Sequence, residues 1–241
     1  MEKCRNICSE LDSILKQYKL FVDSGRIDMD LFSMTSHVPT FSQIPSFYKK
    51  KYGYLIDITL KNIASTFFSN QCILSFTEHT QEKYNTFWEL IKSEKTHYAN
   101  YYDYQKPLID NLLEMEYLYI DRTGIITYPK EKILVLKDYY DNEVFCTTYL
   151  KSDYINSLII NGSIVTEGTL FSKPEQDYLN YMLNNSIFDN GPALRNKYIH
   201  GSNPLGTNDH KRDYFQFLKI FALIVLKINE EFCRREDVWN K

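Results

Sequence analysis

The chain has 241 residues, 44% of them hydrophobic and 24% charged, which is enough apolar side chain to bury a core and argues against a disordered protein. Lys and Arg total 28 against 31 Asp and Glu, so no overall positive field attracts nucleic acid, and any such contact has to come from a local patch. The longest apolar run, 220–226, is far shorter than the ~20 residues that cross a bilayer, so we expect no membrane contact.

The cysteines predict a reducing environment. They number five, show no C-x-x-C spacing and follow no recognisable secretory signal: Cys4, Cys8, Cys72, Cys146 and Cys233. An odd number without paired spacing is typical of free thiols in a cytoplasmic protein and argues against a zinc site. We therefore expect a cytoplasmic chain that holds no metal.

Residues 1–95 are predicted to form a helical N-terminal region, in keeping with the scarcity of glycine and proline in the chain. Apolar residues at near-helical spacing predict an amphipathic helix over 2–22, and further helices are predicted over 54–68 and 83–91. The stretch "YKKKYGY" places the lysines at 49–51 among aromatic residues. This pattern is compatible with RNA contacts or with a solvated helix start.

Residues 96–150 are predicted to form a small winged-helix-like α+β unit. A helix is followed by two short β-rich runs around a turn at Gly124, where a positive φ is available. Glu114 and Glu116 at the end of that helix would repel DNA phosphates, which favours a structural or protein-contact role. The segment 132–150 mixes helix and strand signals, and the sequence assigns no element there.

Residues 151–241 are predicted to form a helical domain. Ser172 and Glu175 stand in capping-box spacing, and Gly201 is a natural helix stop. Three helices are predicted, beginning near Ser172, Pro192 and the potential cap Asp209. The third, which extends to about Arg234, is apolar on almost every side and should be central or form a subunit interface.

The second of these helices carries an arginine, an asparagine and a histidine within "ALRNKYIHG". At ~100° per residue, Asn196 and His200 share a face, whereas Arg195 and His200 diverge by ~140°. A site that uses both needs a groove around the helix or a second copy of it across a two-fold axis. We therefore expect a homodimer.

These side chains suit cleavage of RNA by its own 2′-hydroxyl, because the substrate supplies the nucleophile and neither metal nor cofactor is needed. His200 can accept or donate the proton, Arg195 can stabilise the charged phosphate, and Asn196 can orient either of them. The alternative is that Arg195 is structural and that His200 only caps the helix end.

The stretch "LRNKYIHG" resembles the R-N-x-x-x-H form of the R-x(4–6)-H motif of the HEPN superfamily, over about residues 169–235. This resemblance implies an antiparallel helical bundle and a metal-independent ribonuclease of bacterial toxin–antitoxin, abortive-infection or CRISPR systems. It implies that Arg195 and His200 are the catalytic pair and that Asn196 is their polar companion. Toxins of the family often carry Tyr-x-Tyr after the histidine, but "GSNP" stands here.

Further residues near the motif are candidates for binding the substrate. The cluster "HKR" at the predicted start of the last helix can hold the RNA backbone, and Lys197 lies inside the motif; the predicted binding set is Lys197, His210, Lys211 and Arg212. The tyrosines of "HYANYYDY" can stack on bases or line a core. His37, His79 and His97 are expected to be surface or packing residues.

The sequence thus predicts a mainly α protein with a C-terminal HEPN-like helical bundle that follows a helical region and a winged-helix-like unit. The expected activity is metal-independent endoribonuclease cleavage to 2′,3′-cyclic phosphate ends, in a bacterial toxin or anti-phage defence role. Expected partners are RNA, a second copy of the chain, and an antitoxin or sensor protein. One alternative is a non-catalytic HEPN-fold module that binds RNA, nucleotide or protein. A winged-helix transcription regulator is a third possibility, which the acidic chain disfavours.

Overall fold

A computed structural model of the chain describes residues 1–34, 38–81, 83–150, 153–199, 201 and 206–239, and side chains as far as residue 235. The fold is mainly helical with little sheet, as predicted. The helices are α1 (Glu2–Ser24), α2 (Met29–Met34), α3 (Ile58–Phe68), α4 (Phe87–Ser93), α5 (Lys106–Glu114), α6 (Lys130–Asn142), α7 (Asp153–Ile160), α8 (Lys173–Leu183), α9 (Leu194–Ile199) and α10 (Thr207–Trp239). The strands are β1 (Tyr52–Leu55), β2 (Tyr119–Ile120), β3 (Ile126–Thr127), β4 (Phe145–Cys146) and β5 (Ile164–Glu167).

The chain divides into two compact units. Unit 1 comprises Met1–Lys51 together with Glu167–Lys241, and unit 2 comprises Tyr52–Thr166. This division differs from the consecutive segments 1–95, 96–150 and 151–241 because α1 packs against α9 and α10, which lie far along the chain. Unit 2 is therefore inserted between the two sequence segments of unit 1.

The core of unit 1 is built on a stripe along α1. Five buried α1 side chains recur every three or four residues, as a helix with one apolar face requires: Cys4, Cys8, Leu11, Leu15 and Tyr18. They share a core cluster with Phe217, Ile220 and Ile224 of α10. The predicted amphipathic N-terminal helix is confirmed. The helix α10 buries one apolar face in this core and leaves other apolar side chains, among them Leu223 and Leu226, exposed.

The helices α8 and α9 carry the segment that leads to the motif. The predicted capping box begins α8, since the Ser172 amide donates to Glu175 Oε2 at 2.7 Å. The helix α9 begins at Leu194, two residues beyond Pro192, and Ala193 before it has a φ of 46°. Gly201, two residues beyond α9, has a φ of 84°, a conformation that favours glycine at a helix end.

Unit 2 contains a strand that the sequence did not predict. Residues 52–55, of which the last two were expected to begin a helix, form β1, and α3 starts only after Asp57 caps it by accepting from the Thr59 amide at 2.8 Å. The sheet order is β4-β1-β5, and Gly53 of β1 pairs antiparallel with Phe145. A Cβ at Gly53 would collide with the Phe145 ring, so this position requires glycine.

The predicted hairpin is also confirmed in unit 2. Strands β2 and β3 pair antiparallel, Ile120 lies opposite Ile126, and Gly124 in the turn has a φ of 87°. A third extended segment borders the hairpin, since the Ile126 amide donates to the Thr96 carbonyl at 2.9 Å and the Tyr98 amide to the Gly124 carbonyl at 3.0 Å. The helix α5 lies between this segment and the hairpin in sequence.

Among the described helices, none is both long enough and apolar enough to cross a bilayer.

Candidate functional site

The motif helix α9 is oriented by its buried face. It packs against α1 and α8, and the side chains of Leu194 and Tyr198, four residues apart, are each about 1% exposed. Burial of these two residues fixes the rotation of α9 about its axis. Arg195 and Asn196 are consequently held at fixed positions at the edge of the core of unit 1.

Arg195 forms an ion pair with Asp12 of α1. Its Nε and Nη2 donate to Asp12 Oδ2 at 3.2 and 2.9 Å, and the two side chains are 26% and 16% exposed. Charge-assisted hydrogen bonds of this kind hold a guanidinium in one orientation. Sequence reasoning missed Asp12, although its position next to the buried Leu11 places it at the margin of the α1 stripe.

Arg195 and Asn196 line one cleft of about 240 Å³ together with Asp12, and its walls combine polar and apolar side chains. Asn196 Nδ2 donates to Asn185 Oδ1 across this cleft. Its other polar lining residues are Thr40, Asn180, Asn184 and Ser186. Amides, hydroxyls and one guanidinium offer both donors and acceptors, a set that suits phosphate oxygens and sugar hydroxyls. The structure thus brings two of the three predicted catalytic residues together.

His200, the third predicted catalytic residue, lies outside the described residues, as do residues 202–205 of the loop that follows it. In sequence it comes directly after Ile199, the last residue of α9.

The predicted binding residues converge on a buried carboxylate. Asp213 of α10 is 3% exposed, and its oxygens lie 3.6 Å from Lys197 Nζ and 3.8 Å from Arg212 Nε. The Tyr198 hydroxyl lies 3.1 Å from Asp213 Oδ2 and 2.9 Å from His210 Nδ1. Lys197, Arg212 and His210 are therefore all connected to Asp213, directly or through Tyr198.

Two details complete this cluster. Lys211, the remaining predicted binding residue, is exposed on α10. Burial, with hydrogen bonds to Cys4 and Asp213, raises the pKa of Tyr198 above its ordinary value of 10.0, so its hydroxyl keeps its proton at neutral pH.

The buried thiols near the cleft are unsuited to nucleophilic chemistry. Burial, and after it the charge of the Asp12 carboxylate, raise the pKa of Cys8 from 9.0 to about 12, and Arg195 only partly opposes them. Cys4 Sγ lies 3.5 Å from the carbonyl oxygen of His210. Across the described residues, no group of three or more His, Cys, Asp or Glu side chains is placed to hold a metal ion.

Some of the lysines and tyrosines considered as RNA contacts lie in the core, and others lie on the surface. Lys51 is buried against Glu231, with Nζ 2.6 Å from Oε1, so it cannot contact RNA, whereas Lys49 and Lys50 are exposed. In unit 2, Tyr101 is 1% exposed and belongs to the core. Tyr102 and Tyr104 instead stack at 5.6 Å, and Tyr104 is 60% exposed.

Unit 2 also holds a cavity larger than the motif cleft, of about 520 Å³. Its polar lining includes Asn70, Gln81 and Asn85, and none of the residues predicted for the site lies there. We therefore assign the candidate site to the cleft around Arg195.

Comparison of the chain with models of known families, with curated proteins and with solved structures finds no match. The function therefore has to be inferred from the side chains of the site.

Proposed function

We propose that this protein is a metal-independent endoribonuclease of the HEPN type, with Arg195, Asn196 and His200 as its catalytic residues. The observation that carries the proposal is that Arg195 and Asn196 line one cleft and stand on the helix that leads directly to His200 in the sequence. The resemblance of "RNKYIH" to the HEPN motif implies the same three residues. It also implies the role in toxin or anti-phage defence.

The Arg195 guanidinium remains available for a phosphate while Asp12 holds it. A guanidinium has five N–H donors, and the two bonds to Asp12 come from Nε and Nη2. Three donors are left to bind phosphate oxygens. Arg195 would stabilise the negative charge that develops on them when the 2′-oxygen attacks the phosphorus.

The other two proposed catalytic residues, His200 and Asn196, would transfer a proton and orient the substrate. His200 would exchange a proton with the 2′-oxygen or the leaving 5′-oxygen, a contribution of about 10²–10⁴-fold. Asn196, which donates to Asn185, would hold a ribose hydroxyl or phosphate in place. The products would be a 2′,3′-cyclic phosphate and a 5′-hydroxyl. Lys197, His210, Lys211 and Arg212 would border the path of the RNA.

The finer architecture is part of the same proposal. We assign α8, α9 and α10, with α1 against them, to a HEPN-like bundle. In unit 2, the succession of α4, the extended residues Thr96 and His97, α5 and the β2–β3 hairpin favours a winged-helix-like arrangement. That unit would control access to the site or sense a trigger, and an antitoxin or sensor protein would act through it.

A homodimer would complete the site, because helical spacing in the sequence predicts that Arg195 and His200 diverge by ~140°. Exposed apolar side chains along α10 supply a surface for it: Phe215 is 52%, Leu223 52% and Leu226 64% exposed. Light scattering on the active protein tests this part, since an active monomer would exclude it.

The decisive experiment incubates the purified protein with total RNA and with tRNA in EDTA and maps the cut sites and end groups. We expect cleavage that leaves cyclic phosphates, and its loss in Arg195→Ala and His200→Ala. Arg26→Ala, an arginine of unit 1 that is 80% exposed and does not line the cleft, is the matched control and should cleave normally. Strict dependence on Mg²⁺ or Mn²⁺ would overturn the mechanism.

The second candidate is a non-catalytic module that binds RNA, nucleotide or protein. The observation that favours it is the Arg195–Asp12 pair, which already neutralises the cation in the cleft. This alternative would be established if the wild-type protein and both variants are folded and none of them cleaves any RNA tested.

A further inference from the structure

Unit 2 holds a cavity of about 520 Å³ that the proposed cleavage of RNA does not use. Small-molecule sites in proteins are typically clefts of about 300–1,000 Å³. Among the described residues that line this cavity, no side chain is charged. They are two aromatic residues, one serine and three residues with side-chain amides: Phe76, Tyr84, Ser75, Asn70, Gln81 and Asn85. The cavity therefore has the size for a small ligand and a lining that suits an uncharged one.

The segment that carries Phe76 is held in place by a buried glutamine. Gln105 is 0% exposed, and its Nε2 donates to the carbonyl oxygens of Ile73 at 2.5 Å and of Phe76 at 3.0 Å. Its Oε1 accepts from the Tyr102 amide at 2.9 Å. These three bonds fix the backbone at Phe76 and join it to Tyr102. A wall that is formed before the ligand arrives loses less conformational entropy on binding.

The segment that carries Tyr84 and Asn85 is held by two carboxylates. The Tyr84 hydroxyl donates to Glu94 Oε1 at 2.7 Å, and the backbone amide of Asn85 donates to Glu89 Oε2 at 2.9 Å. Neither bond uses the side-chain amide of Asn85. Lys83 Nζ lies 5.2 Å from the centre of the Tyr84 ring and is paired with Glu94, so its charge is balanced. The second segment of the lining is thus also fixed in advance.

The polar side chains of the cavity have unused hydrogen-bonding groups. Within the part of the chain that the structure describes, the side chains of Asn70, Ser75 and Asn85 make no hydrogen bond. Gln81 donates one N–H to the Tyr102 hydroxyl at 3.3 Å and keeps its other N–H and its oxygen. A side-chain amide presents a donor and an acceptor side by side, which matches the edges of nucleobases. Aromatic side chains in turn stack on the faces of bases.

We infer that this cavity binds the base of a nucleoside, with Gln81 and Asn85 hydrogen-bonded to the edge of the base and with Phe76 and Tyr84 in contact with its ring. A phosphate group would meet no cation among the described lining residues, so the ligand is an uncharged nucleoside rather than a nucleotide. The inference goes beyond the proposed function and does not depend on it, because binding in unit 2 requires no cleavage of RNA.

Nuclear magnetic resonance on the ¹⁵N-labelled full-length chain tests the inference. Adenosine, guanosine, cytidine and uridine are titrated separately while ¹H–¹⁵N spectra are recorded. We expect at least one of the four to bind saturably and to shift the backbone amide signals of Ser75, Phe76 and Gln81. If none of the four nucleosides shifts these signals, the inference is wrong.

Two further probes distinguish the classes of ligand. D-ribose should not shift the three amide signals, because it has no base. The 5′-monophosphate of the nucleoside that binds should shift the same signals without a gain in affinity. Ribose that binds as tightly as the nucleoside would identify a sugar site, and a monophosphate that binds about tenfold more tightly would identify a phosphate site. Either result would overturn the inference.

Substitution of the amide side chains tests their roles. Gln81→Ala and Asn85→Ala should each weaken binding of the nucleoside by about fivefold, since each variant loses a hydrogen bond to the base. Gln81→Ala also loses the bond to the Tyr102 hydroxyl. Tyr102→Phe, which loses that bond alone, should therefore bind the nucleoside as the wild type does.

Asn62→Ala is the matched control for these variants. Asn62 is exposed on α3 and does not line the cavity, so its removal should leave the affinity unchanged. Gln81 and Asn85 are exposed as well, and all three alanine variants should stay folded. If Gln81→Ala and Asn85→Ala bind the nucleoside as tightly as Asn62→Ala, the two amides do not contact the base and the inference fails. Each of these results stands whether or not the protein cuts RNA.

Discussion

A single oxygen of Asp12, Oδ2, accepts two hydrogen bonds from the guanidinium of Arg195, at 3.2 Å from Nε and 2.9 Å from Nη2. The pair joins α1 to the motif helix across 183 residues of sequence. Asp12 orients the arginine, and it also places a negative charge beside the position proposed for a phosphate. The orientation of Arg195 should favour cleavage of RNA, whereas the negative charge should weaken RNA binding. Measuring cleavage and binding separately distinguishes the two effects.

Asp12→Asn should bind an uncleavable 2′-deoxy oligonucleotide about fivefold more tightly, because it removes the repulsion between the carboxylate and a phosphate. Two unit charges 4 Å apart in water interact with ~1 kcal/mol, which corresponds to that factor. It should also cleave RNA more slowly, because the guanidinium loses its orientation. Fluorescence anisotropy and single-turnover kinetics measure the two effects. Asp23→Asn, on α1 in an exposed pair with Lys19, is the control. Unchanged affinity in Asp12→Asn would mean that no phosphate binds near Arg195.

Arg195→Lys should separate catalysis from folding more cleanly than Arg195→Ala, which leaves Asp12 without its partner. Lysine keeps the charge beside Asp12 but not the planar fork, so the melting temperature should stay close to that of the wild type while cleavage falls by about 10²-fold or more. Differential scanning fluorimetry and a cleavage assay measure both. Full activity of Arg195→Lys would show that cleavage needs only the positive charge at this position and not the planar guanidinium.

Lys51→Met should destabilise unit 1 by about 3–5 kcal/mol, because it leaves a buried carboxylate unpaired. Glu231 is 1% exposed, and its other oxygen already accepts from the Ser46 hydroxyl at 2.7 Å and the Phe47 amide at 3.0 Å. Urea denaturation measures the loss. The exposed neighbour variant Lys49→Met should remain as stable as the wild type. Equal stability of the two variants would show that the buried pair contributes little.

The thiols should react in order of exposure. With a pKa of about 12, only about one Cys8 side chain in 10⁴ is a thiolate at pH 8, and the reactive fraction grows only as the pH rises towards 12. Cys233, which is exposed, should react first with a thiol reagent, as mapped by mass spectrometry. In urea all five cysteines should react alike. Fast labelling of Cys8 in the folded chain would contradict its burial.

Local features were predictable from the sequence because the residues that cause them are neighbours. The capping box of Ser172 and Glu175 and the turn at Gly124 each depend on a few consecutive residues. The stripe on α1 was visible as a helical period. Strand β1 was missed because all four of its residues are buried, so the alternation that marks a strand is absent.

The candidate site was predictable only in part. Arg195 and Asn196 were identified from the motif, but Asp12 and Asp213 could not be, since their roles depend on how α1 and α10 pack against α9. The contact of His210 Nδ1 with the Tyr198 hydroxyl, at 2.9 Å, likewise depends on how α10 packs against α9. No period or spacing in the sequence encodes these contacts.

The insertion of unit 2 within unit 1 sets an order of assembly during synthesis. Domains fold largely as units while the ribosome adds about 5–20 residues per second. Unit 2 is continuous and can fold as soon as Thr166 has emerged, whereas α1 has to wait for α9 and α10 before its apolar stripe is covered. For a protein proposed to cut RNA, the nascent chain would stay harmless to the translating ribosome, because the pair that orients Arg195 forms only when most of the chain has been made.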